Sequence, residues 1–230
     1  MKETSVKRAV CLFLTVLTVI SSLLTFTSCN RSYDEDEVVS AAEELLRKAE
    51  ILNNVYYGRG IGYVSGGYEN GYYKEADLIH LSRLGFETID DLKNLTRGTF
   101  TSSYSEQIFS TKLESIADDD GIREMARYYQ HYDIDTVTPI CIMVYTAAKV
   151  SFTDELSYDY STLRVTGVKR QTVFVTVTAT VTNSDGESQT VDIELDLIEE
   201  DYGWRIDNPC YANYNPSLDR YEELEKEDIK

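Results

Sequence analysis

Thr172-Val173-Phe174-Val175-Thr176-Val177-Thr178-Ala179-Thr180-Val181-Thr182 decides the fold class, because apolar and hydroxyl side chains alternate through it every second residue. Only an extended chain gathers such a set onto one face, and β-branched side chains suit that conformation. A second alternating run, Val191-Asp192-Ile193-Glu194-Leu195-Asp196-Leu197-Ile198, follows Ser184-Asp185-Gly186. These three residues form a hairpin loop, with Gly186 where a left-handed backbone is needed. The loop sets Ala179 opposite Val191, Val177 opposite Ile193 and Val175 opposite Leu195, so both apolar sets share the core face. On the other face it lays Thr178 beside Asp192, Thr176 beside Glu194 and Phe174 beside Asp196, which predicts a wet, acidic surface.

Working outward, Leu163 to Lys169 reads as a strand before the hairpin and Gly203 to Asp207, with Trp204 and Ile206, as one after it. Val137 to Phe152 is rich in β-branched and aromatic residues, with Pro139 tolerable near the strand's start. Upstream the period changes. Val38, Ala41, Ala42, Leu45, Ala49 and Leu52 recur at helical spacing opposite Glu43, Glu44, Arg47 and Lys48, and Ser32 or Asp34 supplies a cap. A short helix is expected over Lys74 to Leu84, ended by Gly85, then one opened by a Thr88/Asp91 capping box and ending near Gly98. Further helix is expected from Ser102 to Ala117, then a turn at Asp118 to Gly121, with Ile122 to Gln130 open between helix and strand. The layout is α+β, with N-terminal helices packed on a curved, mainly antiparallel sheet of about four to five strands. It occupies one domain over residues 38–215, preceded by an acidic tether at 29–37 and followed by a charged tail at 216–230.

The chain opens with Lys2, Lys7 and Arg8, an uncharged apolar run from Ala9 to Phe26, and Thr27-Ser28-Cys29. That order describes an export signal, or else a plain N-terminal membrane anchor at the short edge of what spans hydrocarbon. Phe26-Thr27-Ser28-Cys29 resembles the lipobox of bacterial lipoproteins, with Phe26 where that family prefers Leu, Val or Ile. The resemblance implies lipid attachment at Cys29 after removal of residues 1–28, and a location at the cell membrane facing outside the cytoplasm. The remaining 202 residues carry 19 basic and 39 acidic side chains, a net charge of −20. Such a balance disfavours nucleic acid and anionic headgroups as partners, leaving a neutral or basic envelope protein or a cell-wall glycan or peptide. Cys141 and Cys210 are then the two cysteines left for a disulfide, which nothing requires. Cys141, in an apolar run, reads as a buried thiol.

From Tyr56 to Tyr73 the chain holds six tyrosines and six glycines. This composition suits a recognition loop that offers rings on a permissive backbone, and it also suits packing against the first helix and the sheet edge. Tyr63, Tyr68, Tyr72 and Tyr73 are the candidate ligand contacts. Gly58, Gly60 and Gly62 imitate a dinucleotide fingerprint but follow a helix instead of a strand. Asp118, Asp120 and Gly121 fall on three positions of an EF-hand loop whose first and twelfth positions would be Ile116 and Arg127, which excludes a conventional one. His131-Tyr132-Asp133-Ile134-Asp135 offers one imidazole and two carboxylates, and equally describes the solvated side of an edge segment. His80 has no partner at metal-ligand spacing. Ser65 lacks the preceding glycine of a nucleophile elbow. No catalytic residue, metal or cofactor is expected.

The ending Tyr202-Gly203-Trp204-Arg205-Ile206-Asp207-Asn208-Pro209, after the long hairpin, resembles that of the cone-shaped nuclear-transport-factor-2-like or cystatin-like domains common in bacterial lipoproteins, over roughly residues 100–210. No residue matches a catalytic signature of that superfamily. The resemblance implies helices against a curved sheet and a non-enzymatic binding or scaffold role. Size and acidic charge also resemble secreted inhibitors of peptidoglycan DL-endopeptidases. The enzymatic alternative uses the cone's interior as a pocket for a small molecule, and a side-chain-filled interior would argue against it.

Overall fold

The computed structural model describes residues 33–118, 121–148, 155–182, 187–215 and 220–223. The chain divides into two compact units, Met1–Tyr33 and Asp34–Lys230, and every described helix and strand belongs to the second. The signal segment, Cys29 and the Ser184-Asp185-Gly186 loop lie outside the described residues.

Helix α1 spans Glu35–Tyr56. The Asp34 carboxylate caps it, accepting from the Asp36 and Glu37 amides at 3.0 and 3.3 Å, and Glu35, Asp36 and Glu37 in the first turn complement the helix dipole. The last three residues assigned to the tether are therefore already helix. Val38, Ala42, Leu45, Ala49 and Leu52 are buried, while Glu43–Arg47 and Glu44–Lys48 pair along the wet face. Gly71 makes a left-handed turn between β1 (Glu69–Asn70) and β2 (Tyr73–Glu75). Helix α2 (Leu78–Leu84) ends at Gly85, whose φ of 85° is the left-handed cap the sequence predicts. It starts later than expected because Tyr73–Glu75 is taken into a sheet. The capping box of Thr88 and Asp91 is present at the start of α3 (Ile89–Thr99). Helix α4 (Ser102–Lys112) stops short of the expected end, since Ile116–Asp118 (β3) pairs with Gly121–Glu124 (β4).

Among the described residues the strands form two four-stranded antiparallel sheets, beside two two-stranded ribbons, instead of one sheet. In the first the order is β1-β2-β6-β5, with β5 at Tyr128–Tyr132 and β6 at Pro139–Tyr145. In the second it is β10-β9-β8-β7, with β7 at Glu155–Lys169, β8 at Thr172–Thr182, β9 at Ser188–Glu200 and β10 at Gly203–Ile206. The β8–β9 register is the one the loop length predicts, with Val175 opposite Leu195, Val177 opposite Ile193 and Ala179 opposite Val191. A further ribbon, β11 (Ala212–Asn215) with β12 (Arg220–Glu223), takes up part of the expected charged tail.

Helix α1 packs against β7 and β10. Val173, Val175, Val177, Ala179 and Val181, with Ile193, Leu195 and Leu197, are all 2% exposed or less. Each buried aliphatic side chain contributes about 1.5–3 kcal/mol, so this face is a large stabilising element. Where β10 ends, the Asn208 side chain continues its pattern, donating to the Glu194 carbonyl at 2.6 Å and accepting from the Asp196 amide at 2.8 Å. The Thr101 amide bonds the Ile206 carbonyl at 2.9 Å and joins the start of α4 to the same edge.

The β5–β6 hairpin carries local strain. Val137 has φ of 55°, disfavoured for a β-branched residue, while its amide donates to the Asp133 carbonyl and its side chain is 72% exposed. Val137→Asn, a residue that tolerates this conformation, is expected to stabilise the fold by about 1 kcal/mol. The check is a urea titration in which the midpoint rises and the slope does not change.

Candidate functional site

The first sheet has one face inward and one outward, and the pleat assigns its residues. Tyr128, Ile142 and Val144 point to the helices and are buried. Gln130, beside them, accepts from the Ile89 amide at 3.0 Å and donates to the Cys141 carbonyl at 3.0 Å. Tyr129, His131, Cys141, Met143, Tyr145, Tyr73 and Glu75 alternate onto the outer face.

That outer face is aromatic. Tyr73 is its centre, with ring centroids 4.8 Å from Tyr129 and 5.3 Å from Tyr145, packed over Cys141 and Met143. Its hydroxyl donates to the Ala126 carbonyl at 2.6 Å, and the residue is only 6% exposed. Tyr73 is thus withdrawn as a ligand contact: its ring is covered by Tyr129 and Tyr145 within the outer-face cluster, while the preceding turn residue Tyr72 stays exposed. Tyr72 is 69% exposed and meets Tyr145 edge-on at 6.4 Å. Tyr68 is 48% exposed and lies flat on the His131 ring, at 4.6 Å with an interplanar angle of 21°. Its amide donates to the Glu75 carboxylate at 2.9 Å, so the loop that carries it is fastened to β2. Tyr63 is 49% exposed, with the Lys74 ammonium 5.5 Å over its ring. Asn70 donates to the Tyr129 hydroxyl at 3.3 Å.

Tyr63, Tyr68 and Tyr72 therefore present their rings on one loop and sheet edge, while Tyr56 and Tyr57 are buried beneath α1's end. Sequence reasoning missed His131 as the support of Tyr68, along with Tyr129 and Tyr145. Their signal is the alternation of Tyr129 with His131 and of Cys141, Met143 and Tyr145, which the denser run of tyrosines between Tyr56 and Tyr73 overshadows.

The remaining candidates have structural duties. The Asp133 carboxylate accepts from the Thr136 amide at 2.9 Å, the Thr136 hydroxyl and the Asp135 amide, which hold it below the usual carboxylate range and turn it toward its own loop. Among the described residues no group of three His, Cys, Asp or Glu side chains is arranged to hold a metal ion. His80 accepts the Gly62 amide at 2.7 Å. Cys141 and Cys210 are both buried and not joined by a disulfide, and burial, followed by the nearby Glu75 charge, pushes the Cys141 thiol up. Asp120 of the acidic turn lies outside the described residues.

No protein-family model, curated protein or solved structure matches this chain.

Proposed function

We propose that the chain is a lipid-anchored, extracytoplasmic binding protein of the bacterial envelope that acts without catalysis through the outer aromatic face of its first sheet. The observation that carries this reading is the exposed Tyr68 ring seated on His131, on the sheet face that also carries Tyr129 and Tyr145, with the exposed Tyr72 against Tyr145 and the Asn70 amide on the Tyr129 hydroxyl. Rigid tyrosines supply contact area at low entropic cost, and their faces suit the C–H surfaces of sugars or peptide side chains. A net charge of −18 favours a neutral or basic cell-wall glycan or peptide over a polyanion. The valine row that fills the space under the second sheet supports binding at the surface over an enzyme that uses the interior. The cone-shaped fold and the lipid at Cys29 are part of this proposal, on the strength of the Tyr202–Pro209 ending and the Phe26–Cys29 lipobox.

The test is capture from envelope extract by the full chain and by a Tyr68→Ala/Tyr72→Ala variant, with Tyr73 left in place because it is core. Recovery of the captured glycan or protein is expected to fall about tenfold while far-ultraviolet circular dichroism is unchanged, as two ring contacts worth about 0.5–1.5 kcal/mol each are lost. Equal recovery by both proteins would sink the aromatic face as the contact surface.

A further inference from the structure

Distinct from the aromatic face, the second sheet carries a half-open cavity of about 480 Å³ at the β7–β8 turn, lined by Lys169, Arg170, Gln171, Thr172, Phe174 and Ile198. Three observations single it out. The first is charge. In a chain of net charge −18, two adjacent cations rim this hollow, and neither Lys169 nor Arg170 has an ion pair among the described residues. By contrast, Arg47, Lys48, Lys74 and Arg97 are each paired with a glutamate.

The second is backbone conformation. Lys169 pairs with Thr172, so Arg170 and Gln171 form a two-residue hairpin loop, and Arg170 sits at φ of 59°. The same chain builds the two-residue β1–β2 turn with a φ of 59° at its first position too, and there it uses Gly71, the residue that pays least for it. An arginine held where glycine is preferred is strain that the fold does not require. The third is the floor. Phe174 lies half-buried opposite Gly167, whose missing side chain leaves the ring's flank open: a Cβ there would lie 3.6 Å from the Phe174 ring. Ile198, across from Thr172, extends the apolar floor, and the Thr172 hydroxyl and Gln171 amide add polar groups at its rim.

We infer that this cavity is a binding site for a small amphiphilic anion, one phosphate or carboxylate group carried on an apolar, ring-sized body. The anion lies between Lys169 and the Arg170 guanidinium, whose paired N–H groups match a phosphate or carboxylate. The body lies on Phe174 and Ile198. Such an anion reaches the site either as a free solute or as the headgroup end of a lipid.

The experiment is isothermal titration of the full chain, in a non-ionic detergent, with phenyl phosphate. Saturable one-site binding is expected, with inorganic phosphate and benzyl alcohol each binding at least about tenfold more weakly because each lacks one half of the ligand. Arg170→Gly is expected to lower affinity about tenfold or more, as a charge-assisted pair is lost, and to raise Tm by about 2–4 °C, as strain is relieved. That opposite movement separates a ligand-holding arginine from one that merely shapes the turn, and a folded, more stable variant leaves no ambiguity over lost binding. Competition by vesicles containing phosphatidylglycerol would assign the ligand to a membrane, and absence of competition to a solute. No saturable binding up to about 10 mM, or undiminished binding by Arg170→Gly, overturns the site. So does inorganic phosphate matching phenyl phosphate.

Discussion

Arg127→Met is expected to destabilise the protein by about 2–6 kcal/mol, the cost of leaving two buried carbonyls without a donor. Helix α1 has no basic residue in its last turn, and its terminal carbonyls are buried. Those of Val55 and Tyr56 are satisfied by Tyr128 and Arg127, some seventy residues away. Arg127, 7% exposed, donates from Nη1 to the Tyr56 carbonyl at 2.9 Å, from Nη2 to the Gly58 carbonyl at 2.5 Å and from Nε to the Tyr128 hydroxyl at 2.9 Å. That hydroxyl in turn donates to the Val55 carbonyl at 2.7 Å and accepts the Ile61 amide at 3.2 Å. A cation at a helix C-terminus also meets the negative end of its dipole. Methionine keeps the stem's packing but strands two carbonyls without donors, at about 1–3 kcal/mol each. Arg127→Lys, with its single ammonium, should recover only part of the loss. Urea unfolding of the three proteins checks this, and a loss under about 1 kcal/mol for the methionine variant would show that the carbonyls find other donors.

The same arrangement explains Gly60, the middle of the three glycines that imitate a nucleotide-binding fingerprint. Gly60 has φ of 77°, and a Cβ on it would lie 2.3 Å from the Tyr128 hydroxyl and 2.6 Å from Arg127 Nη2. It is glycine because the arginine and tyrosine reach α1's end through the space a side chain would fill.

How far the sequence was readable depends on the range of the interactions. The β8–β9 hairpin declared itself, register included, because eleven residues of β9 pair with the eleven of β8 and apolar side chains alternate along both. Caps were equally local: Asp34, Thr88 with Asp91, and Gly85 each act within one helical turn. The first sheet was not legible. Its strands have two, three, five and seven residues, too short for alternation to stand out, and tyrosine serves both its core and its surface. Tyr72 and Tyr73 are neighbours with opposite fates, and only the pairing of Tyr73 with Tyr145 decides which is buried. The Tyr68–His131 stack and the Arg127 contacts join segments more than sixty residues apart, where no local pattern exists.

Alkaline pH is expected to unfold the protein in one cooperative step, because its interior is built on tyrosine. Tyr56, Tyr57, Tyr104, Tyr128 and Tyr158 are 7% exposed or less. Burial holds all five hydroxyls above their ordinary value near 10, with Tyr57 pushed up to about 12. The Tyr57 and Tyr104 hydroxyls have no hydrogen-bond partner of good geometry to stabilise a phenolate, and Tyr158 is committed to the Cys210 carbonyl. Below pH 10 the folded and unfolded chains both keep these protons, so the full stability is present. Above it the unfolded chain releases protons that the folded chain retains, and stability falls as pH rises toward the folded values. Each buried tyrosine contributes a slope of about 1.4 kcal/mol per pH unit, so five together remove about 7 kcal/mol per unit. Against a total of about 5–15 kcal/mol, that slope exhausts stability about one to two units above the ordinary tyrosine value. Far-ultraviolet circular dichroism, followed from about pH 9 to about pH 12, should therefore be lost in one steep transition that coincides with a step in tyrosinate absorbance from the five buried rings. A circular dichroism signal that stays native while every tyrosine ionises would mean that water reaches these rings, and the packing described for α1 and the second sheet would be wrong.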